Sequence, residues 1–453
     1  MDGTVANRHS CEVYCWLVFQ LRWFGSSGIR GIAFEEFTLD LAIKIGLATG
    51  AKYGNTVIGR DTRVTGQLFS AAVSGALMSV GADVCDVGIV TTPTLAYAAR
   101  KRDCGVMITA SHNPPEYNGI KLWNPDGSSF GTEQMNDIES RMVEEIPPAD
   151  WKEVGSLSEY KEATADHLKR ILSLVGKANI KVVVDCANGP ASLITPLVLE
   201  NMGCEVITLN SQLDGRFPGR PAEPTQENLS DLQRSVVKHG ADLGIAHDGD
   251  ADRMVAIDDR GRYAGGDLLL KLFAQELEAK SIVVPIDATM LLDDRFGERI
   301  YRTRVGDVYV SEKIKEEGAD FGGEPSGTWI FPEISLCPDG IFAAAKLVEI
   351  SAQRKLSEIV DDIPNLPMIK ELMTFAPDKR QQILSSLEKH ISALSAIEVD
   401  TTDGFRIQFE DGWALIRLSG TEPKLRITVE TRKQERAVEI MSRMKEIARS
   451  CLA

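Results

Sequence analysis

The chain alternates between two hydrophobic periods. Apolar residues recur at three- and four-residue spacing over 38–53 and 65–81, which predicts helices there. Between them, Thr56-Val57-Ile58-Gly59 is a short β-branched run and reads as a strand. A strand over 83–90, a helix over 93–102 and a strand over 105–108 follow, the last running into Thr109-Ala110-Ser111. A second round opens near 156 with a helix to about 175. It continues as strand 181–185, helix 191–202, strand 205–209, helix 226–239 and strand 242–246. The third round is helix 266–279, strands 281–285 and 300–303, helix 309–318, a short strand before Gly322 and helix 339–351. Three successive rounds predict three consecutive α/β domains built on mixed or parallel sheets.

The remainder has a different rhythm. Beyond Pro364 and Pro367 come a helix over 378–394, strands over 404–410, 413–418 and 425–430, and a helix over 433–451. Consecutive strands joined by turns such as Glu410-Asp411-Gly412 predict an antiparallel C-terminal α+β domain. The expected division is 23–152, 153–255, 256–365 and 366–453, preceded by an atypical extension over 1–22. The apolar run at 13–19 is too short to span a membrane and has no small-residue cleavage site after it. The extension is either native or an upstream start, and the second is the expectation.

Composition narrows the class. Lys and Arg total 50 and Asp and Glu total 66 in 453 residues, a formal charge of −16. That balance opposes nucleic-acid binding, which needs basic surface to neutralise phosphates. No run of eighteen apolar residues predicts a membrane span. The eight cysteines form no Cys-x-x-Cys pair, and their scatter suits small buried hydrophobes in a reducing cytoplasm. A small-molecule ligand and a monomer or homodimer are expected. If that ligand is an anion, a local group of cations must hold it against the acidic exterior.

Four polar motifs carry candidate chemistry, and those in the three α/β rounds follow hydrophobic strands. Ligands bind outside the carboxyl ends of such strands. Thr109-Ala110-Ser111-His112-Asn113-Pro114-Pro115 could present a serine nucleophile, or be a turn whose Ser111 and Asn113 only bond backbone. Lys121, just beyond, is a candidate acid, base or anion clamp, or else a solvated surface lysine. Asp248-Gly249-Asp250-Ala251-Asp252-Arg253 offers three alternating carboxylates, an all-oxygen set suited to Mg²⁺. An EF-hand would need Gly and Glu where Arg253 and Asp259 stand. Gly322-Gly323-Glu324-Pro325-Ser326-Gly327 suits sugar hydroxyls through Glu324 and Ser326, although a plain tight turn reads almost as well. Arg417-Leu418-Ser419-Gly420-Thr421-Glu422-Pro423, followed by Lys424 and Arg426, reads as an anion cradle.

In this order and spacing the four loops resemble the α-D-phosphohexomutase superfamily, with the likeness running from Phe24 to the C-terminus. Phe24-Gly25-Ser26-Ser27-Gly28-Ile29-Arg30-Gly31 resembles that family's N-terminal segment, which is why residues 1–22 look extraneous. The resemblance implies four domains around one central cleft, with Ser111 as a phosphoserine. It implies a Mg²⁺ ion held by Asp248, Asp250, Asp252 and Ser111. Glu324 and Ser326 would grip sugar hydroxyls, with Gly306 and Asp307 on a further substrate-facing loop. Arg417, Ser419, Gly420, Thr421 and Arg426 would hold the non-reacting phosphate. Lys121 and His112 would be acid/base candidates, and Arg30 and Arg253 would neutralise charge. The implied reaction exchanges hexose 6-phosphate and hexose 1-phosphate through a hexose 1,6-bisphosphate.

Two positions depart from the family pattern. Thr328 stands where many members carry His, and Leu418 stands where Pro is common. The first puts more weight on Lys121. The sugar loop and its continuation Thr328-Trp329-Ile330-Phe331-Pro332-Glu333 resemble archaeal-type phosphoglucosamine mutases, so glucosamine phosphates are the expected substrates. Phosphomannomutase/phosphoglucomutase activity is the runner-up. A sugar-phosphate phosphatase or a non-catalytic sensor is the alternative of a different class.

Overall fold

The computed structural model describes residues 23–25, 28–394, 396–419 and 423–452. The first sheet comprises β1 (Ile29–Ile32), β2 (Asn55–Arg60), β3 (Asp83–Ile89), β4 (Cys104–Ile108), β5 (Tyr117–Trp123) and β6 (Leu157–Glu159). Its order is β1-β5-β4-β2-β3-β6. The second sheet has β7 (Lys181–Asp185), β8 (Glu205–Leu209), β9 (Leu243–His247), β10 (Met254–Asp258) and β11 (Tyr263–Ala264), in the order β11-β10-β9-β7-β8. The third has β12 (Ile282–Pro285), β13 (Ile300–Thr303), β14 (Phe321–Glu324) and β15 (Thr328–Ile330), in the order β13-β12-β14-β15. Each of these three is mixed. Strands joined through helices run parallel, and an antiparallel strand returns directly after the polar loop: β5 on β4, β10 on β9 and β15 on β14.

The fourth sheet is wholly antiparallel: β16 (Met368–Thr374), β17 (Glu398–Asp400), β18 (Phe405–Phe409), β19 (Gly412–Leu418) and β20 (Lys424–Thr431). Helices Arg380–Ser392 and Gln434–Leu452 bury their apolar stripes in this unit's core, Leu387 and Met444 among them. Two sheets extend past the divisions read from sequence. The first sheet takes in β6 beyond 152, and the second continues through Ala264 beyond 255. The helix expected from 156 is β6 followed by the helix Ala163–Leu172.

Packing links the units unequally. One apolar core runs through the second and third, from Val182 and Ile245 to Phe273 and Phe342. Among the described residues, a small apolar cluster of Ile286, Met290, Trp413 and Leu415 joins the third and fourth. That seam also buries charge: Glu430 accepts hydrogen bonds from Thr289 Oγ1, the Met290 amide and Trp413 Nε1. Residues 1–22, including Cys11 and Cys15, lie outside the described residues. The six other cysteines are free and buried.

Candidate active site

Ser111 lies just past the end of β4, buried, with its backbone in the left-handed region at φ 49°. A β-carbon-bearing residue enters that region only when its surroundings hold it there. Its Oγ donates to Asp248 Oδ2 at 2.7 Å and lies 3.3 Å from His112 Nδ1. Asp248 follows β9 directly, so two strand ends from different domains meet at this bond.

The acidic loop is buried throughout. Asp248, Asp250 and Asp252 each bring a carboxylate oxygen to within 4.8 Å of the others. Asp250 Oδ2 accepts from Thr92 Oγ1 at 2.5 Å and Thr109 Oγ1 at 3.3 Å. Asp252 Oδ2 takes the ammonium of Lys121 at 2.7 Å. The other oxygens, Asp250 Oδ1 and Asp252 Oδ1, are buried and have no hydrogen-bond partner among the described residues. Orphaned buried carboxylate oxygens are costly. Three hard-oxygen ligands with two oxygens unpaired fit a divalent cation such as Mg²⁺.

Charge inside the site is uneven. Burial, then Asp252 and Asp250, push the Asp248 carboxyl far above its ordinary range. Burial would raise Asp252 too, but Lys121 and Arg253 outweigh it and hold that carboxyl below the usual range. Burial works against the Lys121 ammonium, yet Asp252 and Asp250 keep it protonated well beyond an ordinary lysine. Arg253 and burial, then Arg30, lower His112 to about 2, so its ring is neutral near pH 7. Arg30 on β1 donates to Asn113 Oδ1 at 3.2 Å, and its buried Nε has no partner among the described residues. Arg30, Lys121 and Arg253 thus gather positive charge next to His112 and Ser111.

The sugar-loop candidates sit at the far end of β14. Glu324 Oε1 accepts the Gly306 amide at 2.8 Å, which joins the two candidate substrate loops. Burial and the neighbouring Asp307 and Asp287 push its carboxyl up to about 7. Ser326 Oγ lies 3.0 Å from Thr328 Oγ1. Thr328 also bridges Arg253 across the domain boundary. The backbone at Thr328, where the family often has His, thus ties the sugar loop to the acidic loop.

In the fourth domain, Arg417 Nη1 donates to Asp403 Oδ2 at 2.7 Å, and the same oxygen accepts the Val305 amide at 3.1 Å. Ser419 is buried, and its carbonyl accepts from Arg380 Nη1 at 2.6 Å. Arg426 faces Arg417 across the β19–β20 pairing. Gly420 and Thr421 lie outside the described residues.

Sequence reasoning missed several members of this site: Asp61, Arg63, Thr92, Arg380 and Asp403. Asp61 and Arg63 follow β2, and Thr92 follows β3. The strand-end rule that located Ser111 and Asp248 was enough to find these three. Arg380 and Asp403 carry no such signal.

A fold of three mixed α/β layers and an antiparallel fourth, with one serine–carboxylate centre between strand ends, defines a phosphohexomutase. Four family models match in order: the phosphoglucomutase/phosphomannomutase α/β/α domains I, II and III over residues 21–147, 159–261 and 265–366, and the C-terminal domain over 377–447. The chain belongs to this family and is an isomerase that moves a phosphoryl group within its substrate. It is 48% identical to a probable phosphoglucosamine mutase of Methanocella arvoryzae, over 95% of this chain and 98% of that one. It is 49% identical to the probable phosphoglucosamine mutase of Methanococcoides burtonii, over 91% and 96%. A crystal structure of a phosphoglucomutase/phosphomannomutase family protein from Burkholderia thailandensis superposes with a TM-score of 0.85 at 27% identity, covering 94% of this chain and 97% of that one. No helix among the described residues is long and apolar enough to cross a membrane.

Proposed function

We propose that this chain interconverts glucosamine 6-phosphate and glucosamine 1-phosphate through phospho-Ser111 and glucosamine 1,6-bisphosphate. The observation that carries this is Ser111 Oγ donating to Asp248 Oδ2 at 2.7 Å inside a carboxylate cluster with two unpaired oxygens. A hydroxyl so placed can carry a phosphoryl group whose charge the surrounding site neutralises. The choice of sugar is supported by the archaeal relatives and by the sugar loop.

In the first half-reaction the free hydroxyl of the sugar phosphate attacks the phosphorus on Ser111. The new P–O bond forms to the sugar, the bond to Ser111 Oγ breaks, and the proton of the sugar hydroxyl leaves as Oγ regains one. Lys121 and His112 are the groups assigned to carry that proton. In the second half-reaction the other phosphate of the bisphosphate returns to Ser111, leaving the isomeric monophosphate. Arg417, Ser419, Gly420, Thr421 and Arg426 hold the idle phosphate in either direction. Glu324, Ser326, Gly306 and Asp307 orient the sugar ring. Asp248, Asp250, Asp252 and an oxygen on Ser111 would hold Mg²⁺, which supplies neutralisation of transferring phosphoryl charge. Arg30 and Arg253 add fixed positive charge beside it. Free, buried cysteines are consistent with a reducing cytoplasm.

The test is one assay comparing kcat/KM for glucosamine, glucose and mannose phosphates, with Mg²⁺ and a trace of hexose 1,6-bisphosphate. Preference for glucosamine phosphates is expected, together with loss of all mutase activity in Ser111→Ala. Full activity in that variant would remove Ser111 as nucleophile. Preference for glucose or mannose phosphate would move the chain to phosphomannomutase/phosphoglucomutase activity.

A further inference from the structure

Arg63 is buried just beyond β2, and its guanidinium is saturated. An arginine side chain has five N–H donors. Here Nε donates to Asp61 Oδ2 at 3.1 Å, and Nη1 donates to the carbonyls of Pro114 at 2.5 Å and Tyr117 at 2.9 Å. Nη2 donates to the carbonyls of Ser111 at 2.8 Å and Asn113 at 2.7 Å. No donor remains for a substrate phosphate. Four of its five acceptors are main-chain oxygens of the segment that bears Ser111.

The same ion pair reaches the other side of the Ser111 residue. Asp61 Oδ2 accepts from Thr109 Oγ1 at 2.7 Å, and Thr109 Oγ1 accepts the Ser111 amide at 2.9 Å. Ser111 is thus held at its N–H and at its C=O while its φ is 49°. Two other domain II contacts close the arrangement. A Cβ added at Gly249 would lie 2.5 Å from the Ser111 carbonyl oxygen, so the acidic loop packs directly on it. The guanidinium also lies 5.1 Å from the centre of the Phe217 ring.

We propose that Arg63, oriented by Asp61, is the positioning residue that aims Ser111 Oγ at its reaction partner, acting as a main-chain clamp and taking no part in phosphate binding. The inference rests on Ser111 being the residue that carries the phosphoryl group. Its physical basis is the match between a rigid planar fork and four fixed carbonyls. Lysine has three donors and no fork. Arg63→Lys therefore leaves buried carbonyls unpaired, and Ser111 relaxes away from its strained conformation. A displacement of about 1 Å at a reacting atom can cost about 100-fold in rate.

The experiment uses full-length wild type, Arg63→Lys, Asp61→Asn and Ser111→Ala, with melting curves to confirm folding. Two quantities are read: steady-state kcat and KM, and the rate of Ser111 phosphorylation by glucose 1,6-bisphosphate followed by intact mass. Arg63→Lys should lose about 100-fold in kcat and in phosphorylation rate, with KM within about two-fold of wild type. Asp61→Asn should move the same way by less, and it decides the matter alone if Arg63→Lys does not fold. Wild-type kcat and phosphorylation rate in the folded variants would overturn the clamp, as would a rise in KM at unchanged kcat. If wild type takes up no phosphate and Ser111→Ala stays active, the nucleophile assignment falls, and the clamp falls with it.

Discussion

Lys121 shows how much one side chain is asked to do in this site. It is buried, paired with Asp252 at 2.7 Å, and faces Asp250 and Asp307 as well as Arg30. Its carboxylate neighbours more than offset the cost of burying its charge, so Lys121 rests as the ammonium while paired with Asp252. Lys121→Met should lower kcat by more than about 100-fold, the usual scale for a lost acid/base group. It should also lower the melting temperature, because breaking a buried pair strands the remaining charge. Added Mg²⁺ should recover part of that melting loss by supplying positive charge, and none of the kcat. Paired melting and kinetic measurements with and without Mg²⁺ check this; unchanged kcat would remove Lys121 from the proton path. At this scale the sequence was legible where several polar residues of the candidate site stand together. Asp248, Asp250 and Asp252 repel one another unless a cation joins them, which makes the pattern hard to read otherwise. Thr92 and Arg380 stand singly, and a lone Thr or Arg is ordinary until folding brings it to Asp250 or to the Ser419 carbonyl.

Among elements, the helix Gly340–Ser351 has the most consequential start. Asp339 Oδ1 accepts the amides of Ile341 and Phe342, a two-bond N-cap. Its Oδ2 accepts from His167 Nε2 at 3.0 Å, and His167 Nδ1 lies 3.0 Å from Thr94 Oγ1. One buried chain of hydrogen bonds thus ties an element of the first sheet's unit to the helix Ala163–Leu172 and to the third domain. The cap also fixes where Gly340 lies, and a Cβ added there would meet the Arg253 carbonyl at 2.5 Å. Asp339→Ala should cost about 2 to 4 kcal/mol, from a lost cap of about 1 and an unpaired buried imidazole of about 1 to 3. Denaturant unfolding measures it, and a loss below about 0.5 kcal/mol would show the junction to be slack. Element reading from sequence failed most clearly at β5. No element was read there, and Asn118-Gly119 lies inside a strand paired on both sides, to β1 and to β4. The glycine is there because β1 comes so close: a Cβ at Gly119 would lie 2.1 Å from the Ile29 carbonyl oxygen.

For the whole molecule, the seam between the third and fourth domains is a weak point set by charge. Asp267 is raised to about 7 by burial and by Glu430 and Asp287, with Lys370 opposing. A carboxyl whose folded value exceeds its unfolded value near 4 binds its proton more tightly when folded. Its contribution to stability is complete below about pH 4 and is lost as pH rises through about 7. Asp267→Asn keeps the oxygen that accepts the Thr289 amide and removes the titration. The variant should therefore gain in melting temperature relative to wild type between pH 5 and pH 8. A melting difference that is the same at both pH values would clear Asp267 as the source.

The net charge of −16 also acquires a location at this scale. Part of it is the buried Asp248–Asp252 loop, countered by Arg30, Lys121 and Arg253, which come from separate stretches of chain. What the sequence determined by itself was the alternation of elements, the fold class, the family, and where the polar residues around Ser111, Asp248–Asp252, Glu324 and Arg417 cluster along the chain. Periodicity and clustered polar residues are properties of neighbours along the chain, so they survive without a structure. Only the tertiary structure decided that β5 is a strand, that Lys121 belongs to Asp252, and that Arg63 grips the loop of Ser111. Those pairings join residues far apart in sequence, and each partner taken alone has a chemistry common to any soluble protein.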